Sequence, residues 1–137
     1  AKGGTRYAFR QHSQWKAGQQ ALDYKDTEIA NYWCQGEASF IVQVSCGLVI
    51  NWLIANDFFG GKVLPINTVH DAIYLDCINE DWASYAGKAV AQLMAATPKY
   101  MCEVMPKYRE WRYDGTALPA SAELGRNMMD KKERKGK

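Results

Sequence analysis

Two apolar runs rich in β-branched residues flank the dipeptide His70-Asp71, with nothing else between them. The runs extend from Lys62 to Val69 and from Ala72 to Ile78. Runs of this length and composition are typical of strands, and a two-residue gap is the commonest connection in a β-hairpin. The sequence therefore predicts an antiparallel hairpin with His70 and Asp71 at or near its tip. Asp usually tolerates the unusual backbone of such a turn, whereas His is less typical there.

A long helix is predicted ahead of this hairpin, beginning near Asp26 and ended by Asn56-Asp57. Its apolar residues recur close to the helical period of 3.6, at Ile29, Trp33, Phe40, Val44, Leu48, Trp52 and Ala55. Gly36 and Gly47 interrupt the pattern at some cost in helix stability. We therefore expect each of these glycines to permit the close approach of another backbone segment.

A shorter helix is predicted after the hairpin, from Asp81 to Ala96, with Asn79 or Glu80 as its cap and Pro98 as its end. The remaining predicted elements are a short strand at Thr5 to Arg10, a loop with one helical turn at His12 to Lys25, and a third strand at Tyr100 to Pro106. This order predicts an α+β fold, in which an antiparallel sheet carries one long and one shorter helix on one face.

The chain of 137 residues is long enough for about one domain. Apolar periodicity is lost after Trp111 and the chain ends in a Lys/Arg-rich run. We therefore expect a domain at residues 1–113 and a partly disordered C-terminal tail at residues 114–137. The net charge of +2 predicts no class of partner.

The longest apolar run, Phe40 to Ile54, is interrupted by polar residues, and it is too short to span a bilayer by itself. No membrane partner is therefore expected. Four well-separated cysteines form no CxxC pair, which disfavours a zinc site: Cys34, Cys46, Cys77 and Cys102. Their apolar neighbours predict buried, reduced thiols, as is typical of a cytoplasmic protein.

Asp71 is the first candidate for chemistry. A carboxylate at the tip of a rigid hairpin is firmly held yet accessible, which suits a hard cation such as Mg²⁺ that keeps waters and phosphates in its shell. The alternative is that Asp71 is simply a good turn residue.

Asn31, Gln35 and Ser39 form a second candidate site. They are four residues apart, and so they share one face of the long helix. Side-chain amides can hydrogen-bond with base edges and sugars. The alternative is a solvated polar stripe opposite the core-facing side of the helix.

Four features follow one another along the chain: Asn31-x-x-x-Gln35-Gly36, a long helix, an apolar strand and Val69-His70-Asp71. In this order they resemble the C-terminal part of the palm of family A DNA polymerases, of the phage type. The stretch Gly4-Thr5-Arg6-Tyr7-Ala8-Phe9 resembles the segment that follows the fingers in that family. The resemblance covers residues 3 to 111.

The resemblance implies a palm-type sheet and template-directed nucleotidyl transfer by two Mg²⁺ ions. Asp71 would be a ligand of both metals, and His70 would lie near the primer terminus. Asn31, Gln35 and Arg6, together with His70, would contact primer–template DNA, and a dNTP would be the second substrate. The expected location is the cytoplasm, that of the host cell for a phage-encoded protein.

Two departures from the family pattern limit what the chain can do alone. Ala72 stands where the family has a second acidic residue, and neither an Asp-x-x-x-x-Glu motif nor a fingers helix with Lys and Tyr is found. One carboxylate does not supply enough ligands for two Mg²⁺ ions. We therefore expect a complementary polypeptide, or the rest of a longer chain, to supply fingers, thumb and the other carboxylate. The alternative is a non-catalytic palm-like module or accessory subunit that binds nucleic acid.

Overall fold

The computed structural model describes residues 6–16, 18–110, 118–127 and 132–133. The fold is α+β, as the sequence predicts, and every strand pairing is antiparallel within this part of the chain. Two compact units are present, residues 1–40 and 41–137. The elements in chain order are β1 (His12–Lys16), β2 (Gln19–Asp23), α1 (Asp26–Ala55), a short turn α2 (Phe58–Gly61), β3 (Val63–Val69), β4 (Ala72–Cys77), α3 (Glu80–Val104), a 3₁₀ turn (Pro106–Tyr108), β5 (Glu123–Leu124) and β6 (Lys132–Glu133).

The first unit contains a hairpin that the sequence did not predict. Strands β1 and β2 pair from His12↔Asp23 to Lys16↔Gln19, where a loop was expected. The sequence of the ladder shows no apolar alternation, and its apolar residues Trp15 and Leu22 are 76% and 69% exposed. Gly18 permits the turn, with a φ of +80°. The predicted strand at residues 5–10 is wrong for residues 6–10, which are irregular, and Thr5 lies outside the described residues.

The second unit has its core where both helices meet one face of the β3–β4 hairpin. The buried core residues are Val49, Leu53, Val63, Ala86 and Val90. Alternate residues of β4 pack against this core: Ile73, Leu75 and Cys77. The period-2 alternation of a strand directs these three side chains to one face, so the prediction of one long and one shorter helix on a single face of the hairpin is confirmed.

Helix α3 begins as predicted, but it ends later. The Asn79 side chain accepts a hydrogen bond from the backbone N–H of Trp82 at 3.0 Å, which confirms the N-cap. The helix then continues through Pro98 to Val104, so both the predicted end and the predicted strand at Tyr100 to Pro106 are wrong. A proline inside a helix costs about 3 kcal/mol. Burial of Thr97, Pro98 and Met101 offsets this cost.

Part of the predicted tail packs on α3. Ala122 lies so close to Gly87 that a Cβ on this glycine would be 2.9 Å from the Ala122 Cβ. Strand β5 pairs with β6. Residues 114–117, 128–131 and 134–137 lie outside the described residues, so a boundary at residue 113 and partial disorder beyond it stay predictions.

Helix α1 extends well beyond the apolar run Phe40 to Ile54, which is too short to span a bilayer by itself. With 30 residues and an 18-residue window of mean hydropathy 1.8, it is long and apolar enough to cross a bilayer. The helix that contains the run is therefore not too short, and the expectation that the length of the run excludes a membrane span is wrong. Core helices of soluble proteins have the same properties, and α1 contributes Ser45, Val49 and Leu53 to the core. A chain without a membrane partner thus stays a prediction.

Candidate functional site

The β3–β4 hairpin places His70 and Asp71 in a two-residue turn, as the sequence predicts. Val69 pairs with Ala72 directly across it, and the register continues to Val63↔Cys77 with an irregularity between Pro65 and Asn67. Both turn residues are exposed. The ladder holds the Asp71 carboxylate at the end of a paired element, open to solvent.

The strained position of the turn falls on His70 rather than on Asp71. His70 has a φ of +54°, in the left-handed region. A left-handed backbone costs an L-residue roughly 1–2 kcal/mol, although His adopts it more readily than most residue types. Strain of this kind collects at functional sites, so the residue beside the candidate metal ligand is also the one whose backbone is unusual.

Asp71 is the carboxylate that the turn supplies as a candidate ligand for a hard cation. Within the described ranges, no three His, Cys, Asp or Glu side chains are grouped so as to hold a metal ion. An exposed carboxylate can take one or two positions in the octahedral shell of Mg²⁺, leaving the others to waters, phosphates or ligands of another polypeptide. The donor chemistry therefore fits Mg²⁺, but only as one part of a shared site.

The N-terminal half of α1 carries the other predicted site residues. Asn31, Gln35 and Ser39 are all exposed at a helical spacing of four, which places them on one face. Arg6 is exposed in the irregular stretch before β1. These residues belong to the first unit, whereas His70 and Asp71 belong to the second.

The two segments of the first unit that carry the polymerase resemblance are in contact. The Tyr7 side chain occupies the space into which a Cβ on Gly36 would project. Tyr7 and Phe9 also meet the ring of Tyr32 edge-on, at centroid distances of 6.1 and 5.6 Å. A side chain, and not the expected backbone segment, therefore lies close to Gly36. The expectation for Gly47 is wrong, because a Cβ there would meet nothing within 4 Å among the described residues.

Two of the thiols, Cys46 and Cys77, are less readily ionised than a free thiol. Burial raises the pKa of Cys77 above its usual value, and the neighbouring Asp76 carboxylate raises it further. Burial likewise raises the pKa of Cys46. All four cysteines are free, but the prediction of buried thiols is wrong for Cys34, which is exposed, and the other three are half-buried.

The sequence analysis did not predict an aromatic cluster in the second unit, where Trp52, Trp82 and Tyr85 lie close together. Phe59 joins them, with its ring centroid 5.1 Å from Trp52, 5.2 Å from Trp82 and 5.7 Å from Tyr85. The missed signal was Phe58-Phe59-Gly60-Gly61, two aromatic residues directly before a glycine pair.

The backbone that presents Phe59 is left-handed over five consecutive residues. Asp57, Phe58 and Phe59 have φ values of 50°, 49° and 54°, and Gly60 and Gly61 continue at 67° and 78°. This backbone is rare for bulky residues.

Comparison of the chain with protein-family models, curated proteins and solved structures gives no match.

Proposed function

We propose that this chain is part of a DNA-directed DNA polymerase and that it supplies the hairpin-borne catalytic carboxylate of the palm, Asp71. The observation that carries the proposal is the two-residue turn of β3 and β4, which holds an exposed carboxylate at the tip of a paired hairpin. The residue types Val69-His70-Asp71 at this tip are those of the family A motif.

The first unit supplies independent support. Tyr7 packs beside Gly36, and Tyr7 and Phe9 contact Tyr32. The polymerase resemblance involves these same two segments, which are well separated in the sequence. Arg6, Asn31 and Gln35 are exposed on these segments, and a cation and two amides are residue types suited to the phosphates and minor-groove edges of a primer–template duplex.

In the proposed mechanism, Asp71 would hold Mg²⁺ together with carboxylates from outside this chain. The metal would activate the primer 3′-hydroxyl and stabilise the phosphoryl displacement. His70 would lie beside the primer terminus, and Asn31 and Gln35 would contact the duplex whatever its sequence, because minor-groove acceptors are common to all base pairs. A complementary polypeptide would supply fingers, thumb and the second carboxylate.

The test is primer extension by this chain combined with the polypeptide that supplies fingers and thumb. Asp71→Asn removes the charge without changing the shape of the side chain, and we expect it to reduce extension about a thousand-fold, since metal stabilisation is worth several kcal/mol. Binding of primer–template DNA should persist. Asp76→Asn is the matched control, because Asp76 is an exposed aspartate on the same hairpin, and it should leave extension unchanged.

Two results would contradict the proposal. If the Asp71→Asn assembly extends primers at the wild-type rate, Asp71 is not a metal ligand. If the isolated chain extends primers efficiently, the second polypeptide is unnecessary. The alternative function, a nucleic-acid-binding module without catalysis, is favoured by Ala72, which stands where the family has an acid. It predicts DNA binding by the chain and no loss of extension in the Asp71→Asn assembly.

A further inference from the structure

The aromatic cluster around Phe59 borders an open pocket of about 280 Å³, lined by Phe59, Asp81, Trp82 and Tyr85. This volume lies just below the range of roughly 300–1,000 Å³ that is typical of ligand pockets, so a small group would fill it. The pocket lies wholly within the second unit, and it does not depend on the proposed polymerase function.

The ring geometry makes the pocket a corner rather than a slot. The Tyr85 ring is nearly perpendicular to Phe59, at 87°, and to Trp82, at 89°. A flat base stacks best on parallel ring faces, whereas a rounded group can touch two perpendicular faces at once. The shape therefore favours a compact, roughly spherical ligand over a nucleobase.

The charge of the lining favours a cation. Aromatic faces carry negative electrostatic potential and attract cations within about 6 Å of the centroid. The charged side chain of the lining is Asp81, a carboxylate. The Lys62 ammonium already lies 5.0 Å from the Trp82 ring centroid, so this ring binds a cation in the protein itself. Lys62 is not among the residues that line the pocket.

Two of the three rings that line the pocket, Phe59 and Trp82, are held by packing before any ligand arrives, and the third, Tyr85, is 51% exposed. Phe59 and Trp82 are half-buried, and Phe59 packs against Trp52 at 5.1 Å. The left-handed backbone from Asp57 to Gly61 presents Phe59 at a conformational cost that the surrounding packing must offset. A preformed pocket loses little side-chain entropy on binding.

We propose that this pocket binds a trimethylammonium group, with its methyl groups against the faces of Trp82 and Tyr85 and its charge near Asp81. A quaternary ammonium is rounded, weakly hydrated and positively charged, and aromatic cages are the usual way in which proteins recognise it. The binding involves no covalent step. Choline and free trimethyl-lysine carry the same group, and titration with each in turn separates the two sources. Tighter binding of choline identifies a small-molecule site, and tighter binding of trimethyl-lysine identifies a site for a modified side chain.

The experiment is an NMR titration of the whole chain with choline, following the indole N–H of Trp82. Two ring contacts predict a dissociation constant on the order of 1 mM. Tyr85→Leu should weaken binding about tenfold, and Asp81→Asn severalfold. Tyr100→Leu is the matched control, because Tyr100 is an exposed tyrosine of the same helix outside the pocket lining, and it should bind as the wild type does.

Three further arms test whether the pocket selects a cation: a neutral isostere of choline, a Lys62 variant and a mononucleotide. The neutral isostere 3,3-dimethyl-1-butanol has the shape of choline without its charge, and it should produce no saturable shift. Lys62→Gln removes a repelling cation, and it should tighten choline binding about twofold; a base-stacking or phosphate-bearing ligand would bind more weakly to this variant. The proposal is overturned if choline gives no saturable shift at Trp82, if the neutral isostere binds equally well, or if a mononucleotide binds at these rings and choline does not.

Discussion

Ser45 of α1 and Thr97 of α3 form a hydroxyl pair inside the second unit, and both are almost completely buried, at 2% and 0% exposure. Their oxygens are 2.8 Å apart. Each hydroxyl also lies 2.9 Å from a carbonyl of its own helix, Ser45 Oγ from Ile41 and Thr97 Oγ1 from Leu93. Two hydroxyls have two protons for three short contacts. One proton therefore joins the helices while the other is donated to a carbonyl.

The proton count predicts how substitutions combine. In Ser45→Ala, Thr97 can still donate to the Leu93 carbonyl, so the loss is one hydrogen bond, worth about 1 kcal/mol. Thr97→Val leaves Ser45 bonded to Ile41 and costs about the same. The double variant has neither proton and therefore loses both hydrogen bonds, about 2 kcal/mol in total. Because each single variant leaves the remaining hydroxyl with a carbonyl partner, the two losses should add.

Urea denaturation of the four proteins measures these free energies of unfolding directly. We expect a coupling energy within about 0.5 kcal/mol of zero. Ser39→Ala is the control and should stay within about 0.5 kcal/mol of the wild type, because Ser39 is exposed on the same helix. A double variant that loses clearly less than the sum of the single losses would refute the reasoning, since it would mean that each single variant leaves a buried hydroxyl without a partner.

Three other substitutions or modifications test local features. His70→Gly should raise the free energy of unfolding by about 1 kcal/mol, because glycine adopts the φ of +54° without strain; a less stable variant in urea would argue against the left-handed turn. Asn79→Ala should lower the stability by about 1 kcal/mol through loss of the α3 cap, and Asn79→Asp should retain most of it. Mass spectrometry at mildly alkaline pH should show exposed Cys34 alkylated before Cys77, whose pKa is raised by burial and then by Asp76. Because the pKa of Cys77 is raised in the folded chain, the folded chain keeps the thiol proton at pH values at which the unfolded chain has released it. The contribution of Cys77 to the free energy of unfolding is therefore complete below the ordinary thiol pKa, and it is lost as the pH rises through the raised pKa.

Elements whose signals are local were predictable. The β3–β4 hairpin follows from two β-branched runs and a two-residue gap, and Asn79 caps α3 as a residue of its type does at a helix start. Asp57, with a φ of 50°, follows the end of α1 where the sequence placed it. Each of these features depends on residues within a few positions of one another, so neighbouring residue types are sufficient to specify them.

Elements that depend on distant partners were not predictable from the sequence. Pro98 should end a helix on local grounds, yet α3 continues because Thr97, Pro98 and Met101 become buried. The β1–β2 ladder has exposed Trp15 and Leu22, and its sequence shows no apolar alternation that would predict a strand.

The candidate sites divide in the same way. The sequence by itself determined that His70 and Asp71 occupy a hairpin tip and that Asn31 and Gln35 share a helix face, because strand pairing across a two-residue turn and helical periodicity are local properties. Only the tertiary structure decided that Tyr7 fills the space at Gly36 and that Phe59 completes a pocket with Trp82 and Tyr85. Contacts between segments far apart in the chain form only when packing brings those segments together, so the residue types near each segment do not predict them.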